Sequence, residues 1–182
     1  MRRCKWCNED NLLYVTYHDE EWGVPNFDDK YLFEMLVLES FQAGLSWECI
    51  LNKRDNFRKA YDEFDVNIVC NYSEDKIKEL LLDEGIVRNS RKIKASIKNA
   101  KVFKEVQGEF GSFHNYLRTF TNDITIYEVD KTTNELSDTV SRDLKRRGMS
   151  FVGTTIIYSY LQAIGVIYSH DKECYLYKEE GV

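Results

Sequence analysis

The sequence predicts an all-α protein of a single domain. Proline occurs once and glycine nine times in 182 residues, so few positions interrupt a helix. Apolar residues recur at helical spacing along most of the chain, in segments that open on Asp, Ser or Asn and often close on glycine. The only strand-like stretch, Ile124-Thr125-Ile126-Tyr127, is too short to found a sheet. With 43% hydrophobic and 14% aromatic residues the chain can build a core, which excludes a disordered protein.

Asp28-Asp29 precede Tyr31, Leu32, Met35, Leu36 and Leu38, an apolar helical pattern with acids at its positive end, and Gly44 ends it. Ser46 caps a second helix expected to run to about Tyr61. Ser73-Glu74-Asp75 open a third with Ile77, Leu80 and Leu81 on one face, stopped by Gly85. Asn89-Ser90 start a fourth that turns Ile93, Ile97, Ala100, Val102 and Phe103 inward, and Ser112 caps a short helix to Phe120. Residues 121–135 read as loop. Ser137 is the expected cap of a helix ending at Arg146-Arg147-Gly148, where cations meet the negative end and glycine stops it. Gly153-Thr154-Thr155 open the last long helix and Gly165 closes it. Both chain ends are expected to be irregular.

No stretch is apolar for the ~20 residues that a membrane span needs, and Met1-Arg2-Arg3-Cys4-Lys5-Trp6-Cys7 has no apolar run behind its charges. The expectation is a cytoplasmic protein with no membrane partner. Five cysteines, Cys4, Cys7, Cys49, Cys70 and Cys174, are an odd number, better suited to metal ligation or burial than to a disulfide framework.

The net charge of −6 is not that of a typical nucleic-acid-binding domain, but it is unevenly spread. Residues 1–85 carry 10 Lys and Arg against 19 Asp and Glu, whereas residues 86–182 carry 15 against 12. Arg88, Arg91, Lys92, Lys94, Lys98, Lys101 and Lys104 follow one another with no acid between them. Such a run is either a solvated helix face or a local surface for phosphates.

The N-terminal segment offers Cys4, Cys7 and His18 as soft ligands, and the C-terminal segment offers His170 and Cys174. A metal joining the two ends would close nearly the whole chain into one loop and tether segments that otherwise fray. Two sets fit tetrahedral zinc: Cys4, His18, His170 and Cys174, or Cys4, Cys7, His170 and Cys174. Either leaves no open position, which marks a structural ion and argues against a zinc hydrolase.

Tyr14, Tyr17 and Trp22 crowd an otherwise polar segment, and Glu39 lies at the end of an apolar helix face, where a carboxylate is costly without partners. Either Glu39 turns outward and the aromatics are core, or these residues form a pocket for a flat, cationic or electron-poor ring.

Tyr17-His18-Asp19-Glu20-Glu21-Trp22-Gly23-Val24-Pro25, Gln42-Ala43-Gly44-Leu45-Ser46-Trp47, Lys53-Arg54 and the segment from Arg146 through Gly148, Phe151 and Gly153 to Thr155 resemble the signature segments of the DNA-3-methyladenine glycosylase I family. The similarity runs from about Arg3 to Cys174. It implies a helix-hairpin-helix DNA glycosylase fold over residues 1–182, with zinc-binding termini at about 1–22 and 166–178 and the helix-hairpin-helix at about 74–104. It implies one structural zinc per chain on Cys4, His18, His170 and Cys174, with Cys7 spare. It places Tyr17, Trp22, Glu39 and Trp47 in a base pocket, with Tyr14 near its rim and Glu39 as the catalytic residue. The hairpin falls at residues 83–88, where Val87 stands at a position often held by a second glycine. Gly85, Ile86, Val87, Arg88, Arg91 and Lys92, with Gly153, Thr154 and Thr155 at a helix start, are the expected DNA contacts.

The activity implied is hydrolysis of the glycosidic bond of 3-methyladenine in damaged double-stranded DNA, with the base flipped from the stack. The expected enzyme is a monomer that releases free 3-methyladenine without cutting the strand. No residue matches the acid that many such glycosylases hold near the sugar, so no general base is assigned. The competing reading is a zinc-stabilised nucleic-acid-binding module without chemistry.

Overall fold

Side-chain caps start most of the helices. The computed structural model describes residues 1–179; the last three positions of the expected domain lie outside the described residues. Asp28 accepts from the amides of Lys30 and Tyr31 and opens α2 (Asp29–Gln42). Ser46 caps α3 (Trp47–Leu51), Ser73 caps α6 (Glu74–Leu82), Asn89 caps α7 (Ser90–Phe110) and Ser112 caps α8 (Phe113–Thr121), all as expected. Helix α10 (Thr154–Ala163) starts from Gly153, and Gly165 follows it at φ +78°. A Cβ at Gly165 would collide with the Pro25 backbone, so glycine lets the segment after Trp22 lie against the end of α10. Gly23 N and Asn26 N donate to the Gln162 and Ile164 carbonyls there.

Several expectations are corrected. The helix drawn from Ser46 to Tyr61 is two helices, α3 and α4 (Arg54–Ala60). Between them, Asn52 is held by Asn11, and Lys53 Nζ donates to the Glu84 and Gly85 carbonyls. These longer-range bonds favour a turn over continued helix. Helix α6 stops at Asp83 rather than Gly85; Asp83 is extended and its carboxylate accepts from Gly85 N. Helix α9 (Glu135–Arg147) is capped by Asn134, with Ser137 bonding back to the Asn134 amide as the other half of a capping box. The N-terminal segment is not irregular throughout, because α1 (Leu12–Thr16) runs into a π-helical turn at Tyr17–Glu21. Short turns at Asp62–Phe64 and α5 (Val66–Val69) were also not foreseen. The strand-like stretch shrinks to β1 (Ile126–Tyr127), paired in parallel with β2 (Ile167–Tyr168).

Helix α2 is the axis of the molecule. Every residue from Leu32 to Phe41 is buried, so this helix has no solvent stripe and is covered on all sides by α3, α7, α8 and α10. Phe33 meets Phe103 edge to face at 5.2 Å, Phe103 stacks on Phe113 at 4.0 Å, and Phe41 meets Phe57 at 4.9 Å. Burying α2 all round also buries Glu34. Arg54 Nε and Arg58 Nε both donate to Glu34 Oε1, at 2.7 and 2.8 Å, and Arg54 extends a further bond to Glu21 Oε2 at 2.8 Å. Tyr31 OH also donates to Glu21.

A buried charge left without its partner costs more than the pair contributes. Arg54→Met is therefore expected to lower unfolding free energy by about 3 kcal/mol or more, whereas Glu34→Leu combined with Arg54→Met should cost clearly less than the two single changes added together. Urea denaturation of the four proteins of this cycle measures the coupling; additive losses would show that the two groups do not stabilise one another.

Candidate functional site

The last turn of α2 carries Glu39 and Gln42 to one end of the helix, where residues from four other segments meet them. The π-helical turn contributes Tyr17, the following residues Trp22, α1 Tyr14 and the start of α3 Trp47. A π-turn widens the helix by one residue, which lets Tyr17 face the Glu39 side while its neighbour His18 points toward the chain ends. These side chains line a cavity of about 330 Å³. All five residues expected to form a pocket are there, so Glu39 does not turn outward. Trp6, Gln42, Ser159, Gln162, Ser169 and Asp171 also line the cavity, with Asp130 and Lys131 from the loop before α9. None of these was foreseen. Trp6, lying between two cysteines, was the one that its neighbours could have signalled.

Aromatic rings form the walls. Tyr17 and Trp47 lie 5.2 Å apart at 45°, Trp6 meets Tyr14 at 5.4 Å, and Trp6 meets Trp22 edge-on at 4.8 Å. Among the described residues four buried side-chain polar atoms have no partner, and two of them, Glu39 Oε2 and Trp47 Nε1, belong to residues lining this cavity; the others are the Tyr158 and Tyr160 hydroxyls. Glu39 is 3% exposed, and burial alone pushes its carboxyl up to about 8. Burial likewise holds the Tyr17 phenol well above its ordinary range, so it remains a neutral donor. The cavity thus offers flat apolar faces, an acceptor at Glu39 and a donor at Trp47. Its complement is a planar ring with N–H donors on one edge and a lone pair nearby. Positive charge on that ring would favour the carboxylate form of Glu39.

Behind this wall the two chain ends converge. One ligand atom from each of Cys4, His18, His170 and Cys174 lies within 4.8 Å of the others, and all four residues are buried. Cys4 Sγ is 3.4 Å from His170 Nδ1, and Cys174 Sγ is 3.5 Å from His18 Nε2 and 3.6 Å from His170 Nδ1. This cluster can hold a metal ion. Cys7 is not part of it; its thiol faces the Tyr14 carbonyl. The other ring nitrogen of His18 is 2.7 Å from Asp19 Oδ1, and the Arg3 guanidinium grips Asp19 and holds its carboxyl well below the usual carboxylate range. The amides of Asp171 and Leu176 donate to the Cys4 and Cys174 sulfurs. Imidazoles of the cluster touch the cavity wall directly: His170 meets Trp22 at 4.8 Å and His18 meets Trp6 at 5.2 Å.

The turn between α6 and α7 brings Gly85, Ile86, Val87 and Arg88 together. Ile86 is buried and anchors the turn, while Arg88 and Arg91 are exposed. A Cβ at Gly85 would meet Asn56 at 3.0 Å and the Asp83 carboxylate at 2.9 Å, so this position needs glycine for close approach. Lys92 corrects an expectation. It is 7% exposed, and its ammonium donates to the Phe41 and Ala43 carbonyls at 2.7 and 2.6 Å. It is therefore no free cation for phosphate. At the start of α10, the space beside Gly153 is open and Thr155 is exposed, but the Thr154 hydroxyl is already bonded to Ser137 and Asp138. Thr154 can offer only its backbone amide.

Residues 6–177 match the family model described as methyladenine glycosylase. The chain is 41% identical over 184 residues to DNA-3-methyladenine glycosylase 1 of Escherichia coli (strain K12), covering 97% of each chain. It superposes on a crystal structure of 3-methyladenine DNA glycosylase I with a TM-score of 0.92 at 37% identity, covering 97% of this chain and 100% of the other. A tyrosine-to-phenylalanine variant of 3-methyladenine DNA glycosylase I, solved in complex with 3-methyladenine, matches with a TM-score of 0.90 at 30% identity over 96% of each chain. Sequence and fold agree over nearly the whole length: the chain belongs to the methyladenine glycosylase family.

Proposed function

We propose that this protein is a DNA-3-methyladenine glycosylase of base excision repair, and that the aromatic cavity around Glu39 receives the flipped base. The observation that carries the reading is the pair of unpartnered buried atoms, Glu39 Oε2 and Trp47 Nε1, in a cavity walled by Tyr17, Trp22 and Trp6. An isolated buried acceptor and donor cost stability unless a ligand completes them. A methylated adenine supplies amino hydrogens for Glu39 and a flat cationic ring for the aromatic faces.

Methylation at N3 makes adenine a cation that departs as a neutral molecule, so the glycosidic bond is weak before the enzyme acts. The protein therefore has to extract the nucleotide, hold the base and stabilise an oxocarbenium-like transition state while water attacks. Loss of stacking costs a few kcal/mol, least for a damaged base. Arg88 and Arg91 after the α6–α7 turn, the backbone of Gly85 to Arg88 and the open amides of Gly153 to Thr155 would offset that cost through phosphate contacts. In this reading residues 74–104 act as the helix-hairpin-helix of a single domain. The enzyme works as a cytoplasmic monomer and leaves the strand uncut.

The terminal cluster would hold one structural zinc ion. In a tetrahedron with Zn–S near 2.3 Å and Zn–N near 2.0 Å, sulfur and nitrogen ligands stand about 3.5 Å apart, which agrees with the 3.4–3.6 Å separations between Cys and His ligand atoms. Asp19 behind His18 supplies the carboxylate that orients a metal-bound imidazole. When bound, the ion would supply tethering and no water activation, because all four positions are protein ligands. Cys4→Ser and Cys174→Ser are expected to lose the metal and melt at lower temperature, while Cys7→Ser keeps both. Metal analysis of the purified variants decides this, and a full zinc complement in Cys4→Ser would reject the ligand set.

Incubation with methylated duplex DNA and chromatography of the released bases tests the activity itself. Free 3-methyladenine with intact strands is the expected product; released base accompanied by strand breaks, or no release, would overturn the assignment.

Glu39→Gln should preserve shape but remove the charge that complements a cationic base. Single-turnover release of 3-methyladenine is expected to fall at least tenfold, about 1.4 kcal/mol. The same variant tests the cost of burial. In the unfolded chain Glu39 ionises near 4.5, in the folded protein at about 8, so between these values the folded state keeps a proton that the unfolded state has lost. Parent stability then falls relative to the variant as pH rises through this window, approaching about 1.4 kcal/mol per pH unit. Parallel stability curves would show that burial does not hold the proton on Glu39, and release at the parent rate would show that its charge is not used.

A further inference from the structure

We propose that Lys92 is a positioning residue that sets the mouth of the base pocket from within, rather than a contact for DNA; the proposal rests on the glycosylase reading above. Three observations support it. First, Lys92 lies on the first turn of α7, directly after the turn expected to face DNA, yet its side chain runs inward. Second, its ammonium donates to Phe41 O and Ala43 O, carbonyls at the C-terminal end of α2 that the helix itself leaves unpaired. A cation there also meets the negative end of the helix dipole. Third, this end of α2 lies between two pocket residues. Glu39 and Gln42 precede Ala43, and Gly44, at φ +79°, turns the chain through Ser46 into Trp47.

The same turn is held from its other side. Ser40 Oγ donates to Phe151 O at 3.1 Å, and the Asn99 side chain bonds both Ser150 N and Ser150 O at 2.9 Å. The α9–α10 connection is thereby fixed to α2 and α7 together. Lys53, donating to the Glu84 and Gly85 carbonyls, fixes the α6–α7 turn to the segment after α3. Within this frame Lys92 is the side chain that joins the start of α7 to the backbone between Glu39 and Trp47. Removing its ammonium strands two carbonyls and frees the Ala43–Ser46 link, and the Glu39 acceptor and Trp47 donor then lose their fixed separation.

A phosphate contact and a positioning contact differ in what they change. A lysine on phosphate contributes affinity and about one unit of salt slope; a lysine that shapes the pocket contributes base binding and excision rate. Lys92→Met keeps most of the stem and removes the donors. Its single-turnover release of 3-methyladenine at saturating enzyme is expected to fall at least tenfold. Its binding of the free base, followed by quenching of tryptophan fluorescence, should weaken as well. Its affinity for undamaged duplex, and the salt dependence of that affinity, should stay within twofold of the parent. Lys92→Arg should recover part of both losses, and Arg91→Ala, at an expected phosphate contact, should lower duplex affinity and flatten its salt slope. If Lys92→Met does not fold, Lys92→Gln, which keeps a shorter, uncharged amide donor group, carries the same measurements. A flattened salt slope with excision and free-base binding intact would overturn the proposal, and so would parent-like values throughout. A parent protein that releases no base would instead reject the glycosylase reading, while the salt slopes still report whether Lys92 meets phosphate.

Discussion

The convergence of both chain ends on Cys4, His18, His170 and Cys174 is the constraint on which the pocket depends. Only part of the pocket wall is built by the helical body. Glu39, Gln42 and Trp47 come from α2 and α3, but Trp6, Tyr14, Tyr17 and Trp22 belong to the N-terminal segment, and Ser169 and Asp171 flank a cluster residue. Short terminal segments hold their place poorly unless something ties them down. Here His170 against Trp22, His18 against Trp6 and the Arg3–Asp19 clamp transmit the position of the cluster directly to the aromatic faces. The π-turn makes one short segment serve both purposes, since Tyr17 and His18 are adjacent in sequence yet enter different sites.

The opposite wall is shaped by the total burial of α2. A helix with no solvent face cannot discard a carboxylate to water, so its two buried acids are treated differently. Glu34 has Arg54 and Arg58, and the Arg54 side chain links it to Glu21 at the end of the π-turn. Glu39 has one oxygen with no partner, and its raised pKa records that cost. Both groups are carboxylates on one helix in one core, so polarity alone does not account for the difference. Glu34 faces the cationic side of α4, while Glu39 faces a cavity. A local conflict that the fold leaves unresolved is where a ligand can be recognised.

Much of this was legible because short-range chemistry fixes it. Asp28, Ser46, Ser73, Asn89 and Ser112 start helices by bonding amides two or three residues ahead, which a linear reading finds. The reading failed where a side chain bonds across the chain. Asp29 does stand in the first turn of its own helix, as expected, but its carboxylate also accepts from Phe113 N and His114 N at the start of α8, a second use that the linear pattern does not show. Lys92 looked like a member of a basic surface run and is an internal clamp. Sequence shows which groups can cap or pair, whereas the partner is chosen by packing. The site divides the same way. Tyr14, Tyr17, Trp22, Glu39 and Trp47 lie in recognisable segments, but Ser159, Gln162 and Ser169 carry no local sign that they will face the same cavity.

The raised pKa of Glu39 has a consequence for selectivity. At neutral pH a carboxyl with a pKa of about 8 is mostly protonated, and a protonated carboxyl is a poorer acceptor for an amino group. A base that donates to Glu39 is therefore held more strongly once that proton is lost, and the loss becomes less costly when positive charge arrives with the base. Normal adenine offers the same amino hydrogens but brings no charge, and so meets either the poorer, protonated acceptor or the cost of an isolated buried anion. A methylated, cationic base brings the counter-charge beside a buried carboxylate, where the attraction is stronger than in water. The aromatic faces act in the same direction, adding ~0.5–2 kcal/mol each for a cation over a neutral ring. Recognition of damage would then rest on charge more than on the shape of one methyl group. The pocket can remain sparse in hydrogen bonds because the substrate's own lability carries much of the chemistry.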